Sequence, residues 1–323
     1  MAKLLTATQS NRKLINRSLI IGGFTTLMIV GGTLYFKLFT NLLPSKSDLN
    51  IETIYIRNAD EFYAIYDKTM NDNYILLNDI SLDVKKIKNP NNTFSGSFTG
   101  NGHTLTIKGK LDQSLFNEID EGSNITDLHV FFTDISGVLS SDFGGISTYN
   151  KGKIDNCFIE YNTRVMLDNL HSFGGITAYN YGTIEKSIVK VSLLENPSYI
   201  NNYTIGGLIG RNFSSGKLSN SVVMMNSQYL TNNLISIENN TVPLPCIGSA
   251  YGFNQYGDNE NAELIYCEER SLPFIDREDK NIFYVSLEEL MSKNLYLSTL
   301  SFNSQLWDIN DGELPILIKN NTK

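Results

Sequence analysis

The stretch Phe173-Gly174-Gly175-Ile176-Thr177-Ala178-Tyr179-Asn180, followed by Tyr181-Gly182-Thr183-Ile184-Glu185-Lys186-Ser187-Ile188-Val189, decides the fold because it recurs. Upstream it reads Phe143-Gly144-Gly145-Ile146-Ser147-Thr148-Tyr149-Asn150, then Lys151-Gly152-Lys153-Ile154-Asp155-Asn156-Cys157-Phe158-Ile159. Downstream it reads Ile205-Gly206-Gly207-Leu208-Ile209-Gly210-Arg211-Asn212, then Ser215-Gly216-Lys217-Leu218-Ser219-Asn220-Ser221-Val222-Val223. A fourth copy, Ile247-Gly248-Ser249-Ala250-Tyr251-Gly252-Phe253-Asn254, keeps only Leu264-Ile265-Tyr266-Cys267 after a longer loop. Gly144, Gly174, Gly206 and Gly248 are 30, 32 and 42 residues apart, so the insertions grow toward the C-terminus.

Short runs of alternating apolar and polar residues, separated by Gly and Asn, read as β-strands and turns. One such unit cannot bury its own apolar face, whereas a stack of units can. The expected architecture is therefore all-β, a right-handed parallel β-helix with coils about 4.8 Å apart. The Gly pairs (Gly144-Gly145, Gly174-Gly175, Gly206-Gly207, and Gly248 in the fourth copy) suit sharp bends or close backbone approach at the solenoid corners. Asn150, Asn180, Asn212 and Asn254 close each run; Asn tolerates left-handed backbone and bonds locally, and stacked copies would form a ladder. The chain holds 38 Asn, and such turns give many of them a place.

Upstream residues fit as the first coils. These are Tyr74-Ile75-Leu76-Leu77-Asn78-Asp79-Ile80, then Phe94-Ser95-Gly96-Ser97-Phe98-Thr99-Gly100-Asn101-Gly102-His103-Thr104-Leu105-Thr106-Ile107, then Asn124 to Val130. A short helix over 60–66 is expected to cap the open end and hide its edge strand. Near the C-terminus Ser286 and Glu289 form a capping box, with Val285 and Leu290 spaced for a hydrophobic staple. Trp307-Asp308-Ile309 and Leu314-Pro315-Ile316-Leu317 read as a strand-turn-strand covering the last coil.

The leader is chemically different. Residues 1–47 hold Lys3, Arg12, Lys13, Arg17, Lys37 and Lys46 and no acid; the rest holds 20 basic groups against 34 acidic ones, a net of −14. Nineteen residues from Ser18 to Phe36 carry no charge, and apolar residues continue to Leu43. That length suits a single membrane span, and the positive flank before it places the N-terminus in the cytoplasm and the body outside. The exit, Leu38-Phe39-Thr40-Asn41-Leu42-Leu43, is bulky, unlike the small-residue site of a cleaved signal peptide. The expected organisation is a basic leader (1–17), a transmembrane signal anchor (18–43), a linker (44–50), the solenoid (51–318, repeats at about 143–267) and a short tail (319–323).

The net charge of −8 argues against a nucleic-acid partner. Three Cys exclude a disulfide-built scaffold; Cys246 and Cys267 either bridge outside the membrane or lie with Cys157 as buried thiols. The histidines His103, His129 and His171 are isolated, and neither a zinc-protease motif nor a nucleophile elbow nor a phosphate loop occurs. Many β-helices cleave polysaccharides with paired carboxylates. Here Asp79/Asp83, Glu118/Asp120/Glu121, Asp258/Glu260, Glu268/Glu269 and Asp308/Asp311 read as solvated faces and turns, with no set recurring at one-coil spacing. Asp258-Asn259-Glu260-Asn261 is oxygen-rich but lacks the spacing of a calcium loop. No catalytic, cofactor or metal residue is assigned.

The repeat, its lead-in and its close together resemble the GLUG-motif repeat of bacterial surface proteins, including the non-catalytic region of IgA-specific metallopeptidases. The resemblance covers residues 51–318 and implies a β-helix and surface display; it fixes no ligand. The expected function is a membrane-anchored, surface-displayed binding module contacting an extracellular glycan or protein. A polysaccharide-active enzyme and an accessory subunit of an envelope assembly are the alternatives.

Overall fold

The computed structural model describes residues 51–88, 92–110, 113–136, 138–139, 141–167, 172–195, 204–226, 246–248, 250–254, 262–268 and 280–320. The expected leader, span and linker lie outside these, and among the described residues no helix is long and apolar enough to cross a membrane.

The described chain is mostly β and is built on long parallel ladders. A full coil visits four of them in order. The fourth ladder stacks Phe143–Gly144, Ser172–Gly174, Thr204–Gly206 and Cys246–Gly248. The third stacks Thr93–Phe94, Phe116–Ile119, Ser147–Asn150, Thr177–Asn180, Ile209–Asn212 and Tyr251–Asn254. The first runs Thr53–Ile56, Asn73–Leu76, Ser97–Thr99, Asn124–Thr126, Lys153–Asp155, Thr183–Glu185 and the start of Lys217–Asn226. The second runs Ile80–Asp83, Thr104–Lys110, His129–Ser136, Phe158–Leu167, Ile188–Glu195, the rest of Lys217–Asn226, Ala262–Glu268 and Ile282–Val285. Each repeat returns to the same four ladders in register, which is the pairing of a β-solenoid.

Alternation sends one side chain inward and the next outward. On the first ladder Tyr74, Phe98, Ile125, Ile154, Ile184 and Leu218 stack in register inside. On the second, Leu105, Val130, Ile159, Val189, Val223 and Cys267 do the same. Cys157 and Cys267 are thus buried thiols; the side chain of Cys246 lies outside the described residues. At the N-terminal end the helix Ala59–Tyr63, N-capped by Asn58, drives Phe62 into this core, edge-on to Phe98 at 6.0 Å.

Two expectations are corrected. The left-handed corner residues are not the repeat asparagines. Between the first and second ladders the chain turns on one left-handed residue per coil, Asp127, Asn156, Lys186 and Asn220, with φ between 48° and 53° except 46° at Lys186. Asn150, Asn180 and Asn212 are strand residues, fully buried.

The strand-turn-strand of Trp307 to Leu317 also does not end on the last coil but reaches back to the coil of Asn156. Ser286 does cap the helix Leu287–Leu290, accepting from the Glu289 N–H at 3.2 Å, and Trp307–Asp308 does pair antiparallel with Ile316–Leu317. This strap, however, lies on the outer side of the second ladder. Leu290, Leu295, Tyr296, Leu300, Phe302, Trp307, Ile309 and Leu317 form one cluster with Phe158, Ile188 and Val222, three outward residues of successive coils. The Trp307 indole N–H donates to Asn156 Oδ1 at 3.2 Å, and the strap ends on the early coils at Asn101 and Asp79. The reason is apolar area: the second ladder is hydrophobic on both faces, so it needs a cover on its outer one.

Candidate functional site

The repeat positions read from the sequence are brought together. Gly144, Gly174, Gly206 and Gly248 pair in register on the fourth ladder. Neither Gly144 nor Gly174 has positive φ; a Cβ on Gly144 would strike Ser147 O and Thr177 Cα, and one on Gly174 would strike Thr177 O. Close approach, not a left-handed bend, selects glycine there. The corner glycines act alike: Gly175 N–H donates to Gly207 O at 3.1 Å, and a Cβ on Gly145 would strike Gly175 O.

Asn150, Asn180, Asn212 and Asn254 pair in register on the third ladder. Asn150 Nδ2 donates to Asn180 Oδ1, and Asn180 Nδ2 to Asn212 Oδ1, both at 2.8 Å. Asn212 Nδ2 closes on Gly216 O at 3.2 Å. The side chain of Asn254 lies outside the described residues. The amides of Asn150, Asn180 and Asn212 are buried, so each bond along the ladder spares a donor and an acceptor the desolvation cost, while Asn150 Oδ1 at the ladder's start is left without a partner.

The ladder fixes what stands outside it. The residues just before these asparagines, Tyr149, Tyr179 and Arg211, form an outward column with Glu118, their register partner on the coil before; those just after include Lys151, Tyr181 and Phe213. Tyr149 stacks on Tyr179 with centroids 5.0 Å apart, and Tyr181 on Phe213 at 4.2 Å. Both Tyr149 and Tyr179 are half-buried. The Tyr179 hydroxyl donates to Asp142 Oδ2 at 2.8 Å; burial, then the Asp142 carboxylate, pushes its pKa up. Lys151 and Glu118 pair at 2.9 Å on the coil below. The stacked rings spend their faces on one another, so the column presents ring edges, hydroxyls and charged tips to solvent.

A second cluster escaped the sequence reading. Thr126, Asp155 and Glu185 occupy one register position of the first ladder, with Asp127 at the adjoining corner. Lys153 pairs with Asp155 at 3.1 Å and also with Glu185. Burial, and then the charge of Asp155, raises the Asp127 carboxyl to about 6; burial also raises Asp155, against the pull of Lys153. One carboxylate oxygen on each of Asp127 and Asp155 is buried without a hydrogen-bond partner. The separations of 28 and 30 residues match the repeat period, the signal that would have found them.

His103 and His129 lie near each other under the end of the strap, and His171 lies outside the described residues. The Asp258–Asn261 loop does too. Among the described residues no group of three or more His, Cys, Asp or Glu is placed to hold a metal ion. Comparison with protein-family models, curated proteins and solved structures finds no match to this chain.

Proposed function

We propose that this chain is a display and binding module: a right-handed β-solenoid of the GLUG type, anchored in a bacterial membrane by residues 18–43 with its acidic body outside, which contacts a glycan or protein through the outer face of the third ladder. The observation that carries the reading is that face. It is rigid, because a buried amide ladder underlies it, and it sets out aromatic edges, hydroxyls and both signs of charge in rows. The outer face of the second ladder is occupied by the chain's own strap. Rigid scaffolds with few ordering costs suit binding surfaces.

The test is retention of the full-length, detergent-solubilised chain on a glycan array and on host-matrix proteins, beside Tyr149→Ser and Tyr179→Ser. Retention that falls at least tenfold in these variants, with unfolding temperatures nearly unchanged, supports the reading. Retention that is equal for all three chains contradicts it.

One observation favours a second reading, a polysaccharide-active enzyme. Asp127 carries a raised pKa beside a second carboxyl, the pattern of an acid and its partner in glycoside hydrolysis. Release of reducing ends from a polysaccharide, lost in Asp127→Asn, would establish that reading over the first.

A further inference from the structure

The outward column of the second ladder changes character along its length. From Phe158 through Ile188 and Val222 to Tyr266 it is apolar and meets the apolar part of the strap. Toward the early coils it becomes His129, Thr104 and Asp79. There the strap ends in polar contacts. Asn320 N–H donates to Asn101 O at 3.0 Å, and Asn101 Nδ2 donates back to Asn320 O at 2.7 Å. Lys319 Nζ meets Asp79 Oδ2 at 2.6 Å. Gly102, at φ +77°, leaves no room for a Cβ beneath Ile318 O.

Asp79 joins this clip to two histidines. Its other oxygen takes the Thr104 N–H at 3.0 Å and lies 3.3 Å from His103 Nδ1. Thr104 Oγ1 lies 3.1 Å from His129 Nδ1. The His129 ring stacks on Phe158 at 4.8 Å, so it also abuts the apolar cluster that holds the strap. Its Nε2 is buried without a hydrogen-bond partner; the nearest carboxylate oxygen, Glu160 Oε2, is 3.9 Å away, and the other oxygen of that carboxylate, Oε1, pairs with Lys190 at 2.9 Å. A second N–H on this ring would have no acceptor at bonding distance.

We propose that the strap is an acid-released latch: protonation of His129 frees the C-terminal segment from the second ladder while the coils stay folded. Burial holds the docked ring's pKa down at about 4; Glu160 and Asp79 pull it up, and Lys319 pushes it further down. A solvated histidine takes its proton near 6.5. The docked state therefore holds fewer protons than the released one between these values, and docking weakens as pH falls through that window. Asp79 acts lower. Burial alone would raise its pKa, but the hydrogen bonds from Lys319, Thr104 and His103 and the Lys319 charge outweigh it and keep it below 3.8, so its support for the clip is lost only beneath that value. Release exposes the column Phe158, Ile188, Val222 and Tyr266 to water.

The test is hydrogen exchange of the full chain between pH 7 and 4.5, corrected for intrinsic rates, comparing amides of 294–318 with those of the third ladder. The expected result is a fall in strap protection of up to about tenfold per pH unit below 6.5, with the coil amides unchanged. Trp307, the only tryptophan, should become accessible to a quencher over the same range. His129→Phe, which keeps the ring stack, should flatten the dependence, and Asp79→Asn should lower strap protection at pH 7. Loss of protection in strap and coils together, or an unchanged slope in His129→Phe, overturns the proposal.

Discussion

Two outward columns stand on the same coils and met different fates. On the second ladder Phe158, Ile188 and Val222 lie under the strap; on the third, Tyr149 and Tyr179 stay half-exposed. Both are stacked, in-register columns. The difference lies in what sits beside each residue in the strand. Phe158-Ile159, Ile188-Val189 and Val222-Val223 are consecutive apolar pairs, so both faces of that strand exclude water. Ser147-Thr148-Tyr149-Asn150 has no such pair, and its outward tyrosine ends in a hydroxyl that water can serve. Here the ladder whose outward residues are apolar is covered, and the ladder whose outward residues end in hydroxyls or charges is left open.

The comparison is broken most directly by Trp307→Ala. It removes a side chain only 1% exposed and orphans Asn156 Oδ1, and a loss of about 3–5 kcal/mol is expected from chemical denaturation. A loss under about 1 kcal/mol would mean that the strap does not hold the second ladder.

Asn180→Leu comes next. It strips Asn150 Nδ2 and Asn212 Oδ1 of their partner inside the stack. About 2–4 kcal/mol should be lost, since buried polar groups are costly when one partner goes. The effect should reach the open face as a loss of ordered Tyr149–Tyr179 stacking, measurable in the near-ultraviolet dichroism.

Asp127→Asn should act in the other direction. A carboxyl whose folded pKa is raised loses stability as pH rises from about 3.8 to about 6, because the folded state prefers the proton. Asparagine also accepts the left-handed backbone that Asp127 adopts at φ 53°. The variant should therefore be more stable than the parent by about 1–2 kcal/mol at pH 7.5, after discounting for partial exposure, and no more stable at pH 3.5. Equal stability at both pH values would show that Asp127 is well solvated.

Tyr149→Ser should have the smallest effect, about 0.5–1 kcal/mol, the scale of one cross-strand pair at a surface. A cost like that of Trp307→Ala would erase the distinction between the two columns.

The repeat, its register and its parallel stacking were legible because they are local and periodic. A 30-residue recurrence of Gly-Gly and Asn leaves few arrangements that bury each unit's apolar face. The roles inside the repeat were less legible. Asn150 and Asn180 suit a left-handed turn by residue type, yet the corner falls six residues later, at Asn156 and Lys186. Lysine carries no left-handed signal, so only the register against Asn156 and Asn220 explains position 186.

The strap was misread for a different reason. Trp307 to Leu317 was correctly seen as strand, turn and strand, but its docking place depends on contacts 151 residues away at Asn156 and 219 away at Asn101. Local pattern does not encode such distances; the consecutive apolar pairs on the second ladder do hint that a cover exists. The acid stack of Asp127, Asp155 and Glu185 corrects the expectation that no acid set recurs at one-coil spacing: its members are 28 and 30 residues apart, and a solenoid makes neighbours of residues one coil apart.

Zero-length carbodiimide cross-linking of the full-length chain at neutral pH, read by peptide mass spectrometry, tests the strap-covered solenoid most directly. An amide bond between Asp79 and Lys319, 240 residues apart but 2.6 Å distant, is the expected product within single chains. The surface pairs Lys88–Asp67 and Lys151–Glu118, both 2.9 Å, serve as internal controls. Linkage at both controls with none at Asp79–Lys319 would contradict the placement of the strap across the coils.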